Sequence, residues 1–218
     1  MVSRDFVKKG FYCKYGKRIL DISVSFIFII SLLPVIAPIL LIMKIFGCRR
    51  IIFKQKRAGK NRRAFTMYKF RTMVPGAEKM QEMYSHLNES DGPTFKIRDD
   101  PRLTSFGKWL RDAGLDELPQ LINVLEGSMS LVGPRPHPCK EVLGYKPWQM
   151  ERLSAKPGIT SLWHVSGRHK MSFDLWVKSD IYYIKNQSLF LDIQILIKTF
   201  ALFLRQLFRA MISPKILL

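Results

Sequence analysis

Asp116 and Glu117 stand side by side in the run GLDELPQL (114–121). Adjacent residues do not share a helix face, so two such carboxylates serve one substrate best at a helix start, where free N–H groups and the dipole favour negative charge. There one can be a nucleophile or a Mg2+ ligand while the other orients it. An Asp-Glu pair is also ordinary decoration of a helix N-terminus, so by itself it does not decide. The loop SLVGPRP (130–136) adds an arginine. Gly133 and two prolines stiffen the chain around Arg135, a way of presenting a guanidinium to a phosphate. Arg71 in KFRTM, Arg111 five residues before Asp116, and Arg168 in SGR are further cations. Lone arginines are commonly solvated, but a substrate with several phosphates would draw these together.

The chain that must position them has 218 residues, 36 Lys and Arg against 17 Asp and Glu, and a net charge of +19. That length and a hydrophobic fraction of 47% suit one globular domain, and exclude a disordered chain or a disulfide-stapled miniprotein. Cys13, Cys48 and Cys139 are far apart and contain no C-x-x-C, so a zinc ribbon is excluded and a reduced compartment is expected. His164 and His169 have no nearby cysteine and read as surface or satisfied histidines. The charge narrows the partners to nucleic acid, an acidic membrane surface or phosphorylated small molecules.

Ile22–Met43 are 22 residues without a charge. As a helix they reach about 33 Å, nominally enough to span a bilayer. Pro34 near the middle and Pro38 one turn on remove helical hydrogen bonds, and each half alone is about half a span. Six Lys and Arg precede the run within residues 1–21, and eleven follow within 44–71, which contains no acid. Both ends are thus expected on the cytoplasmic side, which favours a helix that enters, breaks at Pro34 and returns over one that crosses. At the other end of the chain, residues 189–212 set Lys198, Arg205 and Arg209 among Leu, Ile and Phe. This pattern suits a helix in the headgroup plane, or one packed on the domain.

Between these ends, residues 51–57 and 64–70 read as strands around a turn at 58–61, and helices are expected over 75–88, 103–113, 117–125, 141–153 and 174–186. The expected class is α+β, mainly helical. It comprises an interfacial amphipathic segment (1–21), a re-entrant membrane hairpin helix (22–43) broken near Pro34, a catalytic domain (44–188) with a small β-hairpin, and a C-terminal amphipathic membrane-associated helix (189–218). Nucleic acid is not expected as a partner: the basic 44–71 stretch lacks a nucleic-acid motif, and Phe53, Phe65, Tyr68 and Phe70 alternate as strand-core residues do.

With these motifs in order, the chain resembles the monotopic polyprenyl-phosphate phosphoglycosyl transferases, or bacterial sugar transferases. The segments that carry the resemblance are KRILD (17–21), the Pro34 apolar hairpin, FKQKRAGKNRRAF (53–65), KFRTM (69–73), DGPTFKIRDDPRLTSFGKWLR (91–111), LDELPQLINVL (115–125), MSLVGPRP (129–136), KPGIT (156–160), SGR (166–168) and DIYYIKNQSLFLDIQIL (180–196). The resemblance implies an enzyme on the cytoplasmic face of the bacterial inner membrane. It would move a sugar-1-phosphate from a UDP-sugar to polyprenyl (undecaprenyl) phosphate and release UMP, so starting exopolysaccharide or O-antigen assembly. It implies Asp116 as nucleophile, forming an aspartyl-phosphosugar with Mg2+, and Glu117 assisting at the metal. Lys69, Arg71, Arg111, Arg135 and Arg168 would bind phosphates, with Asp180 and Asp192 in support. The DGPTFK and WHVSGR forms resemble members that use galactose or glucose. Membrane lipids are further partners, and a homodimer is left open.

Several positions depart from the family's pattern: Leu33 before Pro34, where Ser31 is the nearest substitute hydroxyl, and Gly114, Ser128, Ser161, His164 and Ser179. They point to an altered pocket or reduced activity. The competing readings are a basic membrane-anchored binding module, indifferent to loss of Asp116, and a transferase in which lipid phosphate attacks the donor directly while Asp116 only holds Mg2+.

Overall fold

Lys17–Ile45 form a single 29-residue helix, α1, that continues a π-helical turn at Tyr12–Gly16. In this computed structural model, which describes residues 11–48, 50–167 and 172–212, it belongs to the one described helix long and apolar enough to cross a membrane. Helical structure runs through Pro34 and Pro38, so the chain does not leave the helix at the expected break. Ser31 does not replace the missing partner there: its Oγ donates to Phe28 O at 3.1 Å, not to the Ile30 carbonyl that Pro34 leaves free.

One face of α1 packs inward from end to end. Asp21, Ser25, Ile39 and Met43 are buried; Val24 and Ile29 join one core cluster, and Ile36 joins another. Asp21 accepts from Ser130 Oγ and Leu131 N, both at 3.0 Å. Arg18 donates to the carbonyls of Val124 and Leu125. Both ends of α1 therefore rest on the same globular body, while Phe26, Ile27, Ile30, Leu33 and Leu41 face outward and exposed.

The expected hairpin is present as β1 (Ile52–Ala58) and β2 (Ala64–Phe70), antiparallel, with Phe53 opposite Lys69. Its turn puts Asn61 and Arg62 in left-handed backbone. A second pair, β3 (Ser130–Val132) parallel to β4 (Gly158–Thr160), is too short to show an alternating pattern in the sequence. The helices are α2 (Ser105–Asp112), α3 (Gln120–Glu126), α4 (Cys139–Val142), α5 (Leu162–Val165), α6 (Phe173–Lys185) and α7 (Leu189–Ile212).

Two expected helices do not form. Residues 75–88 are turns ending in a 3-10 turn at Ser85–Leu87. Gly76 there has φ +80, and Arg102 Nη1 donates to the Ala77 carbonyl, an acceptor that a helix would need for itself. Residues 141–153 divide into α4 and a 3-10 stretch at Pro147–Ser154, because Pro147 forces Lys146 into extended backbone.

α7 covers 189–212 of the expected C-terminal segment, residues 213–218 lying outside the described residues, and one of its faces packs on the domain. Asp192, Ile195 and Ala210 are buried, and Ala210 shares a core cluster with Ile39 and Met43. Phe190, Ile193, Ile197, Phe200, Leu204, Phe208 and Met211 recur every three or four residues and lie exposed on the other side. The result is a mostly helical fold with one long apolar N-terminal helix and small sheets.

Candidate active site

Gly114 starts the site. Its φ of +70 is in the left-handed region, where a side chain is strained, so this departure from the family's pattern has a backbone reason. The chain then makes a 3-10 turn, Leu115–Glu117, and passes through Pro119 into α3. Leu115 is anchored in the core, which fixes the two carboxylates beside it.

The neighbours Asp116 and Glu117 are treated very differently. Glu117 Oε1 receives Lys69 Nζ at 2.7 Å and Arg135 Nη2 at 2.6 Å, and Oε2 receives Arg135 Nη1 at 3.5 Å. Asp116 is buried, accepts no hydrogen bond from the described residues, and has Lys69 Nζ 3.6 Å from Oδ2. Burial pushes both acids up. At Glu117 the Arg135 and Lys69 charges outweigh it and hold the carboxyl well below the usual range. At Asp116 burial prevails over Lys69, with the Glu117 charge adding to it, and the pKa lies above its ordinary value.

Lys69 reaches the pair from β2 and Arg135 from the loop after β3. That loop is tightly seated: a Cβ on Gly133 would lie 2.4 Å from Lys156 O, so only glycine fits where it crosses the start of β4. Arg111, exposed on the last turn of α2, is near enough for its charge to favour ionised Asp116. Asp116, Glu117, Lys69, Arg135 and Arg111 thus come together in the fold.

Other expected residues are placed elsewhere. Arg71 donates from Nε to Arg50 O at 2.9 Å and lies 5.5 Å over the Phe53 ring, directed to the beginning of β1. Asp180 pairs in the core with Arg152 at 2.6 Å. Asp192 accepts from Lys17 at 2.7 Å, from Tyr183 at 2.6 Å and from Tyr12, tying α7 to the start of α1. Arg168 lies outside the described residues. Sequence reasoning missed Arg57 and Arg152, which hold the Arg135 loop; nothing local marks them, because their partners are 79 and 17 residues away.

Among the described residues no three or more His, Cys, Asp or Glu side chains gather as a metal site. Mg2+ needs only one or two carboxylates when substrate phosphates and water complete its shell. Asp116, which accepts no hydrogen bond from the described residues, suits that donor set; Glu117 joins it only by giving up a cation.

Two other departures also have local uses. Ser161 caps α5 by accepting from His164 N at 3.1 Å, and Ser128 Oγ donates to Asn123 O at 3.2 Å past the end of α3.

The profile of the bacterial sugar transferase family matches residues 12–206. The chain is 48% identical over 149 residues to Galactosyl transferase CpsE of Streptococcus agalactiae, covering 68% of this chain and 33% of that protein. It is 43% identical over 162 residues to Undecaprenyl-phosphate galactose phosphotransferase of Salmonella typhimurium, covering 71% and 33%. To Exopolysaccharide production protein ExoY of Sinorhizobium fredii it is 36% identical over 188 residues, covering 84% and 83%. The chain thus spans a third of the first two relatives and most of the third. Matched over nearly its whole described length and sharing these relatives, the chain belongs to the bacterial sugar transferase family.

Proposed function

We propose that this chain transfers a sugar-1-phosphate, of galactose or glucose, from a UDP-sugar to undecaprenyl phosphate through a covalent intermediate on Asp116. The observation that carries this reading is the asymmetry of the carboxylates. Glu117 is immobilised by Lys69 and Arg135, whereas Asp116 is buried, raised in pKa and, with Lys69 Nζ 3.6 Å away, accepts no hydrogen bond from the described residues. An unencumbered, desolvated carboxylate is the better nucleophile.

In the first step an Asp116 oxygen attacks the sugar-bearing phosphorus. The phosphoanhydride bond breaks, its bridging oxygen leaves with UMP, and a phosphosugar remains on Asp116 as an acyl phosphate. A phosphate oxygen of the lipid then attacks the same phosphorus, which frees Asp116 and leaves the sugar on a lipid diphosphate. Lys69, Arg111 and Arg135 neutralise the equatorial and leaving oxygens, while Glu117 keeps Lys69 and Arg135 aimed at them. Bound Mg2+, held by Asp116 with substrate phosphates and water, would supply further charge neutralisation.

The outer faces of α1 and α7 support a seat in the cytoplasmic leaflet of the inner membrane. Both present exposed apolar rows, and an unbroken helix packed at both ends on one body suits a seat in one leaflet better than crossing. The names of the relatives support galactose as the sugar and undecaprenyl phosphate as the acceptor.

The test is exchange of labelled UMP into UDP-galactose and UDP-glucose by solubilised protein without lipid acceptor. Exchange by the wild type and none by Asp116→Asn is expected. Lipid-dependent transfer without exchange would favour direct attack and contradict the covalent step.

A further inference from the structure

Four successive carbonyls in the chain Pro134-Arg135-Pro136-His137 each receive a donor, from three parts of the fold: β4, the 3-10 stretch at Pro147–Ser154 and β1. Pro134 O accepts from Gly158 N at 2.9 Å and Arg135 O from Arg152 Nη2 at 3.0 Å. Pro136 O accepts from Arg57 Nη1 at 3.0 Å and His137 O from Ala58 N at 3.0 Å. Two of the four residues are prolines with no N–H to offer, so the segment depends on its carbonyls for attachment.

The donor to Arg135 itself is the most elaborately supported. Arg152 is 1% exposed, the largest side chain so deeply buried. Its Nε and Nη2 donate to Asp180 Oδ2 at 3.0 and 2.6 Å, and its Nη1 donates to Tyr145 Oη at 2.6 Å. Tyr145 Oη in turn meets His137 Nδ1 at 2.6 Å. Burial, then the charges of Arg152 and Arg57, hold His137 well below its usual pKa and hence neutral. A buried cation is costly unless its partners are all in place, and here every arm of the guanidinium is used, one of them on the backbone of the phosphate-binding arginine.

We infer that Arg152, oriented by Asp180 and Tyr145, is a positioning residue that aims the Arg135 guanidinium through the Arg135 carbonyl, with Arg57 doing the same one residue on. Asp180 is then the counter-ion of Arg152 and not a substrate ligand. The chemical purpose rests on the proposed phosphosugar transfer, because Arg135 has a target only where a phosphorus is attacked. A loosened loop would leave Arg135 bonding to Glu117 in a range of poses and slow the covalent step.

The test is a double-mutant cycle on the rate of Asp116 adduct formation, using Arg152→Lys, Arg135→Ala and the pair. Arg152→Lys is expected to slow the step about 30-fold in the wild-type background and less than about 3-fold when Arg135 is already alanine. Losses that multiply in full would overturn the inference, since a merely structural residue weakens both backgrounds alike. The 15Nε–H resonance of Arg135, assigned by its loss in Arg135→Ala, is read on the same proteins. It should shift or broaden in Arg152→Lys; an unchanged resonance overturns the inference whatever the activity. If Arg152→Lys does not fold, Tyr145→Phe removes one support of the guanidinium and is put through the same cycle and spectrum. Absence of any adduct in the wild type would count against the transfer reading alone, and the resonance would still decide the role of Arg152.

Discussion

The carboxylate turn at 115–117 and the loop at 134–137 face each other across one ion pair, yet they are built on opposite principles. In the loop every carbonyl is bonded, two of them to arginines, and prolines remove the competing N–H groups. In the turn the reacting group keeps its lone pairs: Asp116 accepts no hydrogen bond from the described residues, Lys69 stands 3.6 Å from it, and Lys69 and Arg135 both bond to its neighbour. A nucleophile must keep its lone pairs for phosphorus, whereas the groups that receive charge must already be in place. The difference between the two regions is a division of labour within a single site.

The largest effect expected from breaking this arrangement is that of Asp116→Asn. Transfer should fall by at least about 10³-fold with the fold intact, as measured by lipid-linked product formation. Next is Asp180→Ala, which leaves the Arg152 charge buried without its counter-ion. It should lower unfolding free energy by about 3–5 kcal/mol in denaturant titration. Glu117→Gln removes the acceptor of two cations at a site whose Arg135 side chain is 35% exposed, so solvent screening reduces the loss to about 1–2 kcal/mol.

The same pair predicts thermal shifts of opposite sign. Glu117 is held below its usual pKa, so its contribution is present above the unfolded value and fades as pH falls through the folded one. Asp116 is raised, so its ionisation at neutral pH opposes folding, and the relative stability it confers at low pH is lost as pH rises through its folded pKa. At neutral pH, melting should therefore show Asp116→Asn equal to or above the wild type and Glu117→Gln below it. The subtlest expectation concerns pH and rate: the acid limb of adduct formation should lie above the ordinary Asp value of 3.8, because burial delays ionisation of the nucleophile.

Much of the turn was legible in the sequence. Gly114, the adjacent acids and Pro119 are local signals, and α2, α6 and α7 fall close to the expected 103–113, 174–186 and 189–212; the caps at Thr104 and Ser172 are seen only in the structure. The loop's stiffness was also legible from Pro134 and Pro136, but its anchors were not. Arg152 is one arginine among many in the sequence, and only the fold brings it to Asp180, 28 residues away, and to the carbonyl of Arg135. The same long-range effect erased the expected helix at 75–88, where Arg102 takes the Ala77 carbonyl. Asp192 likewise matches a family segment, yet it meets Lys17 and Tyr183 and not the carboxylate pair.

The central claim is that Asp116, and not Glu117, becomes covalently bonded to the phosphosugar. Intact-protein mass spectrometry of the solubilised wild type, Asp116→Asn and Glu117→Gln, each mixed with Mg2+ and UDP-galactose or UDP-glucose, tests it most directly. The account predicts a gain of one hexose phosphate on the wild type, a slower gain on Glu117→Gln and none on Asp116→Asn. A gain of the same mass on Asp116→Asn would contradict it.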